Sequence, residues 1–569
     1  MRRLPGHLMI VASLMALGAG TPAFSQFQDL SAGAAPVPAD VIYTHAHIAT
    51  PEGWREAMAV AGGTILATGS EADLAGHRTS TTQIVDLAGK TVLPGMIDMH
   101  VHPEEAGHRA ASCAFPQGSS GETVVAAVKA CAGREAPGAW ILGGQWDGSS
   151  LGKIAAHRRV LDAVAPNNPV ALIDISLHSF WANSAALKAA GITRDTPNPP
   201  GGIIERDKNG EPTGVLRETA AQLLGSRIPT PSEEKRVAAL GMATRMMLAE
   251  GITAYEEALM FEPSARAYAA LADKGELFQH VRTCMADRDQ RLIALRHLYA
   301  RQGLDISCVK MILDGVPTDA HTAAMLEPYA DADKVRDPAQ IKGELMVDPA
   351  TIAAKLTRYD AAGLTVKIHA TGDAAVRAAL DGIAAARAAN GPYGPHHEIS
   401  HANFVNPADI ARAAALNVTF EFSPYVWFPS PPVRDVIRTV GPERMERFNP
   451  IRDALGAGVH IVLGSDWPVV PSMSPWVAIE TLVTRQAPGG SPDEISPGQK
   501  LTVDQAVAML TINAAQQLGI SDRLGSLEPG KQADFIVLDR DIFTVPATTI
   551  HQTRVLRTVI AGKQVYSAK

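Results

Sequence analysis

Cysteine is scarce in this chain, four residues in 569. None of the four, Cys113, Cys131, Cys284 and Cys308, stands in C-x-x-C spacing, which argues against a zinc knuckle and against a fold that depends on a disulfide framework. For Cys113 and Cys131 a bridge and two buried thiols both stay open. Long runs of Lys or Arg are absent as well, and a formal net charge of −8 is modest for this length. Nothing therefore tracks a phosphate backbone, and nucleic acid is not an expected partner. After the first 25 residues no segment is apolar for the 18 or more residues that a bilayer-spanning helix needs. Charge is thin throughout, 19% against 46% hydrophobic residues. That balance is globular rather than disordered, and the length exceeds one ordinary domain.

What is present begins with a secretory signal. Met1-Arg2-Arg3 supplies positive charge, Leu8 to Leu17 is apolar, and Ala23-Phe24-Ser25 is a small-x-small cleavage site. Residues 1–25 are read as a signal peptide, with export to a periplasm or the exterior and a mature chain from about Gln26. A Pro/Ala-rich linker, Ser31 to Pro38, leads into short β-type runs at Val41-Ile42-Tyr43, Ala57 to Val60, Thr64 to Ala67 and Gln83-Ile84-Val85, which look like a small antiparallel sheet. The C-terminus repeats this texture at Asp534 to Leu538, Val555 to Ile560 and Gln564-Val565-Tyr566. The two ends, residues 26–93 and 511–569, are expected to form one composite β-sandwich.

Between them, over 94–510, buried strands alternate with Ala-rich helices, as in βα units around a parallel sheet. Strand Leu364 to His369 precedes helix Asp373 to Asn390. Asn406-Pro407 opens a helix with a cap and an N1 proline, and Thr502 with Gln505 forms a capping box for a helix running to about Leu518. There is length for eight such units, giving an α/β (β/α)8 TIM barrel. A Gly- and Pro-dense stretch within about 114–230 reads as an insertion near the barrel mouth.

Chemistry concentrates at strand ends, where such barrels keep it. His100 and His102 alternate along Ile97-Asp98-Met99-His100-Val101-His102, so both face one way. Lys310 lies in Cys308-Val309-Lys310-Met311-Ile312, His369 ends Val366-Lys367-Ile368-His369, His401 ends Glu398-Ile399-Ser400-His401, and Asp466 follows Leu463-Gly464-Ser465. This mix of nitrogen and oxygen donors suits zinc or a similar divalent ion. A lone strand His is more often a hydrogen-bonded core residue, and Asp466 alone could cap a helix. Lys310 is harder to explain as packing, because an unpaired ammonium in a core is costly or loses its proton.

The chain resembles the amidohydrolase superfamily of metal-dependent hydrolases, and more narrowly its amidohydrolase-3 branch, which includes N-substituted formamide deformylases. The resemblance rests on Pro94-Gly95-Met96-Ile97-Asp98-Met99-His100-Val101-His102, His178-Ser179-Phe180-Trp181-Ala182-Asn183-Ser184 and Gly210-Glu211-Pro212-Thr213-Gly214-Val215-Leu216. Later segments extend it: Val309-Lys310 with Asp314-Gly315, His369-Ala370-Thr371-Gly372-Asp373, Gly464-Ser465-Asp466-Trp467-Pro468 and Gly525-Ser526-Leu527-Glu528-Pro529-Gly530-Lys531. It implies that His100 and His102 bind one metal, that His369 and His401 bind a second or complete the site, and that Lys310 is carbamylated to bridge the two ions. Asp466 would bind metal and act as general base towards a metal-activated hydroxide that cleaves a non-peptide C–N bond of amide, N-acyl or formamide type.

His178, Trp146, Lys367 and His321 are candidates for substrate binding. The segment His396-His397-Glu398-Ile399-Ser400-His401 departs from the family pattern and leaves His397 open as an alternative ligand. Lys367, on the same face as His369, could anchor a substrate carboxylate or compete with Lys310 for carbamylation. A cyclic-amide hydrolase or deaminase using the same site is a second reading, and an exported binding protein without catalysis is a third. The expected ligands are one or two divalent ions and a small-molecule amide; monomer and homodimer stay open.

Overall fold

The computed structural model describes residues 36–569 apart from 117, 175–178, 200–201, 319, 336–340 and 425–426, so the signal segment and His178 lie outside the described residues. Eight parallel strands organise the rest: β1 (Met96–Val101), β2 (Ile252–Met260), β3 (His280–Ala286), β4 (Leu304–Ile312), β5 (Thr365–Ala370), β6 (Glu398–His401), β7 (Thr419–Phe422) and β8 (His460–Leu463). They neighbour one another in chain order. The sheet nearly closes on itself where Val101 meets Trp467 in a parallel bridge and the His102 amide donates to the Trp467 carbonyl at 2.8 Å. All six residues of β1 are buried, as a strand covered on both faces requires.

Helices fall where their caps place them. Helix Asp373–Asn390 follows β5, and helix Pro407–Ala415 opens with the Asn406 side chain accepting from the Ala408 amide. The capping box of Thr502 and Gln505 is present, but its helix spans only Val503–Met509. The backbone turns out of the helical region at Thr511 before Ile512–Gln517 continues, so the single long helix expected there is two. That break lets the Gln517 side chain reach the base of the barrel, where it accepts from Thr419 at 2.5 Å and donates to Glu398 at 2.8 Å.

Both chain ends join one eight-stranded sheet, with Phe535–Leu538 and Val555–Ile560 added beside Gln83–Pro94 and Val41–Thr50. The sheet is mixed rather than antiparallel, since Val41–Thr50 and Gln83–Pro94 run parallel. Strand Gln83–Pro94 leads through Gly95 directly into β1, so the terminal sheet anchors the strand that carries His100. A separate six-stranded sheet, built between Cys113 and Glu218, occupies the stretch read as an insertion.

All four cysteines are bridged, Cys113 to Cys131 and Cys284 to Cys308. The second pair was not expected. Cys284 and Cys308 stand opposite each other on β3 and β4, a register that sequence spacing does not reveal. No helix among the described residues is long and apolar enough to cross a membrane.

Candidate metal centre

At the C-terminal end of the barrel, His100 projects from β1, His102 follows its last residue, and Asp466 comes from the turn after β8. Asp466 Oδ1 lies 3.6 Å from His100 Nε2 and 3.4 Å from His102 Nε2. Gly464 makes this approach feasible: a Cβ there would sit 2.2 Å from the His100 Cβ. Asp98 staples the same junction, its Oδ1 accepting from the amides of His100 at 3.1 Å and Ser465 at 2.9 Å. Asp466 and His401 both adopt the left-handed backbone region, φ 58° and 71°. Such conformations in non-glycine residues cluster at functional sites, where surrounding structure holds them.

The other expected ligands lie near this group, although among the described residues only His100, His102 and Asp466 bring ligand atoms within 4.8 Å of one another here. The His401 ring stands 4.9 Å from that of His100 and 4.5 Å from that of His369, centroid to centroid. Lys310 Nζ lies 3.5 Å from His100 Nε2. His369 Nε2 meets the Gly315 carbonyl at 3.2 Å.

The remaining nitrogens of the first two histidines are engaged. His100 Nδ1 is 2.6 Å from Glu421 Oε2 on β7, and His102 Nδ1 is 3.2 Å from Glu257 Oε1 on β2. Both Nε2 atoms are therefore left for the shared point. Burial, with the Lys310 charge beside it, holds His100 well below the usual histidine range, and His369 falls to about 4 for the same two reasons. His401 is likewise held down by burial and by the neighbouring His369. For His102 burial also opposes charge, but the carboxylates of Asp466 and Glu257 outweigh it and raise the ring to about 10. Burial and the nearby Lys367 charge lower Lys310 to about 8. No carboxylate within ion-pair distance holds its proton among the described residues.

Two expected substrate contacts do not stand here. Trp146 is buried in the six-stranded sheet, donating from Nε1 to the Leu172 carbonyl at 3.0 Å and packing edge-on against Trp181. Lys367 is wholly buried, with Nζ 2.8 Å from Glu256, 2.7 Å from Glu398 and 2.8 Å from the Met99 carbonyl. Arg282 binds the same two glutamates. This leaves Lys367 no face for a substrate carboxylate, and Glu256, Glu398 and, 3.8 Å away, Glu421 raise its pKa against the burial that would lower it. His397 is also separate from the cluster: its Nδ1 accepts from the Val366 amide and its Nε2 meets Asp360. His321, in the loop after β4, bonds Asp331 at 2.8 Å.

Glu257 and Glu421 were not read from the sequence, and Asp314 was read there only as part of a motif. The available signal was a carboxylate inside an otherwise apolar strand, as in Thr419-Phe420-Glu421-Phe422. Asp314, fully buried, accepts from the amides of Thr371, Gly372 and Ala324 and fixes the loops flanking His369. Gly148-Ser149-Ser150-Leu151-Gly152 matches the Gly-x-Ser-x-Gly consensus, yet both hydroxyls donate to Asp147 and no helix follows before Arg158–Asp162. It is a turn rather than a nucleophile elbow.

A family model described as "Amidohydrolase family" matches residues 83–566. Protein LONG AFTER FAR-RED 3 of Arabidopsis thaliana is 31% identical, covering 93% of this chain and 92% of its own length. N-substituted formamide deformylase of Arthrobacter pascens is also 31% identical, over 89% of this chain and 94% of its own. Among solved structures, an uncharacterized metal-dependent hydrolase from Pyrococcus furiosus is 26% identical with a TM-score of 0.71, covering 89% of this chain and all of that one.

Proposed function

The chain belongs to the amidohydrolase family, and from that membership and the geometry of the cluster we propose that it hydrolyses a non-peptide carbon–nitrogen bond, of amide, N-acyl or formamide type, at a divalent metal centre. The observation that carries the reading is the convergence of His100 Nε2, His102 Nε2 and Asp466 Oδ1, with both Nδ1 atoms occupied by glutamates. Nitrogen and carboxylate donors of this kind fit zinc.

His100, His102 and Asp466 would hold one ion; His369 and His401 would hold a second, with Lys310 between them. Lys310 suits carbamylation because its amine is buried, has no carboxylate partner among the described residues and loses its proton more easily than an ordinary lysine. A divalent cation at this place supplies Lewis acidity, acidifying water and polarising a scissile carbonyl. Asp466 takes the proton of the attacking water at its carboxylate and returns it to the leaving nitrogen. Its turn, tied to β1 through Asp98, keeps that carboxylate over the histidines. His321 and its Asp331 partner, in the loop after β4, offer a polar contact to the substrate. We read the N-terminal segment as an export signal and the terminal mixed sheet as the companion domain of the barrel.

The formamide-type relative supports the substrate class most directly. The test is turnover of purified protein on N-substituted formamides, N-acyl amino acids, cyclic amides and aminated rings. Formamides or N-acyl amines should be cleaved. Turnover confined to cyclic amides or ring deamination would overturn the substrate class.

A further inference from the structure

We propose that Glu421 and Glu257 are the positioning residues of this centre: each grips Nδ1 of one β1 histidine and so turns its Nε2 to the point shared with Asp466. The inference rests on the metal-hydrolase reading above and extends it to two residues outside the ligand set.

The two grips are built alike from unrelated strands. Glu421 comes from β7, is fully buried, and reaches His100 Nδ1 at 2.6 Å. Glu257 comes from β2, is equally enclosed, and reaches His102 Nδ1 at 3.2 Å. Each carboxylate is itself held. Glu257 accepts from the Tyr268 hydroxyl on helix Glu262–Asp273 at 3.1 Å and from the Leu259 amide at 3.2 Å. Glu421 accepts from the Ser423 hydroxyl at 3.3 Å and has Lys367 Nζ 3.8 Å away. The histidine orientations therefore derive from outside the cluster, in one case from the barrel's interior ion network and in the other from an outer helix.

Core packing alone does not account for the pattern. A buried histidine needs one hydrogen-bond partner per nitrogen, and a backbone carbonyl would serve, as the Asn513 carbonyl does for the half-buried His460. Here two carboxylates were buried instead, at a desolvation cost that apolar residues would avoid. With a cation taking the place of a proton at Nε2, an acceptor on Nδ1 holds the ring's one proton there and makes the imidazole a stronger donor to that cation.

The experiment is zinc affinity by chelator competition for wild type, Glu421→Gln, Glu257→Gln, the double Gln variant and Glu421→Leu, with thermal unfolding of the zinc-free proteins alongside. Removing such partners typically weakens metal binding about 10- to 100-fold. The double variant should weaken zinc binding at least about tenfold while still unfolding cooperatively, with Glu421→Leu weaker than Glu421→Gln because Gln keeps an acceptor. If Glu421→Leu does not fold, the near-isosteric Gln series decides. Zinc binding by the double variant within about twofold of wild type would overturn the inference, provided His100→Ala lowers affinity in the same assay. If His100→Ala and Asp466→Asn also bind zinc as wild type does, the metal-centre reading itself fails.

Discussion

The backbone amide of Asp466 donates to the carbonyl of His100 at 2.6 Å. The carboxylate proposed as the base, in the turn after the last barrel strand, thus hangs from the histidine proposed as a ligand on the first. The residues that seal the β1–β8 seam are therefore also those that set Asp466 beside the histidines.

Gly464 tests this. Its hydrogen faces the His100 backbone, and alanine would bring a Cβ within 2.5 Å of the His100 nitrogen, a main-chain atom that cannot rotate aside. Gly464→Ala should destabilise the protein by about 1–3 kcal/mol in urea unfolding, as overpacking does, and should weaken zinc binding. An unchanged zinc affinity would separate the seam from the site.

The barrel interior makes a second prediction. Lys367 and Arg282 together compensate Glu256 and Glu398, all at or near complete burial. Lys367→Met removes a cation and leaves carboxylates buried, which typically costs about 3–5 kcal/mol. Chemical denaturation of the zinc-free protein measures it; a change below about 1 kcal/mol would show that water or proton uptake replaces the lysine.

Acid should destabilise the protein through His397. Burial, and then the Arg387 charge, holds this ring at about 4, against 6.5 for a free histidine. Between those values the unfolded chain binds the extra proton, so stability is fully present above pH 6.5 and falls as pH drops towards 4. The whole span amounts to about 3 kcal/mol. His397→Gln should flatten the pH dependence of unfolding free energy in that window relative to wild type, whatever its effect on stability at pH 7. Parallel profiles would contradict the assignment.

Lys310 carries the binuclear part of the proposal. Lys310→Ala should reduce bound metal from two ions per chain towards one and lower turnover by orders of magnitude. Wild-type metal content in that variant would remove the carbamate bridge while leaving a single-ion centre intact.

Much of this was legible in the sequence because strand ends with histidine are marked by alternation and by the apolar runs before them. His100, His369 and His401 come from such positions, and among the described residues the ligand atoms that meet within 4.8 Å at this end of the barrel are those of His100, His102 and Asp466. Their supporting carboxylates were not legible, since a glutamate within a strand says nothing about which histidine lies across the barrel. Lys367 misled for a related reason: alternation gave its inward direction but not its depth, one layer below His369 among three glutamates. Trp146 was misplaced because the insertion builds its own sheet and core. The Cys284–Cys308 bridge depends on strand register, which short buried strands specify only once paired.

The central claim is hydrolysis dependent on this particular cluster. It is tested most directly by turnover of an N-substituted formamide or N-acyl amine with zinc-loaded, chelator-stripped and zinc-restored protein, together with folded His100→Ala and Asp466→Asn variants. The account predicts activity in the loaded protein, loss on stripping, recovery on restoration and a fall of about a thousandfold or more in both variants. Undiminished turnover by the stripped protein, or by Asp466→Asn, would contradict it.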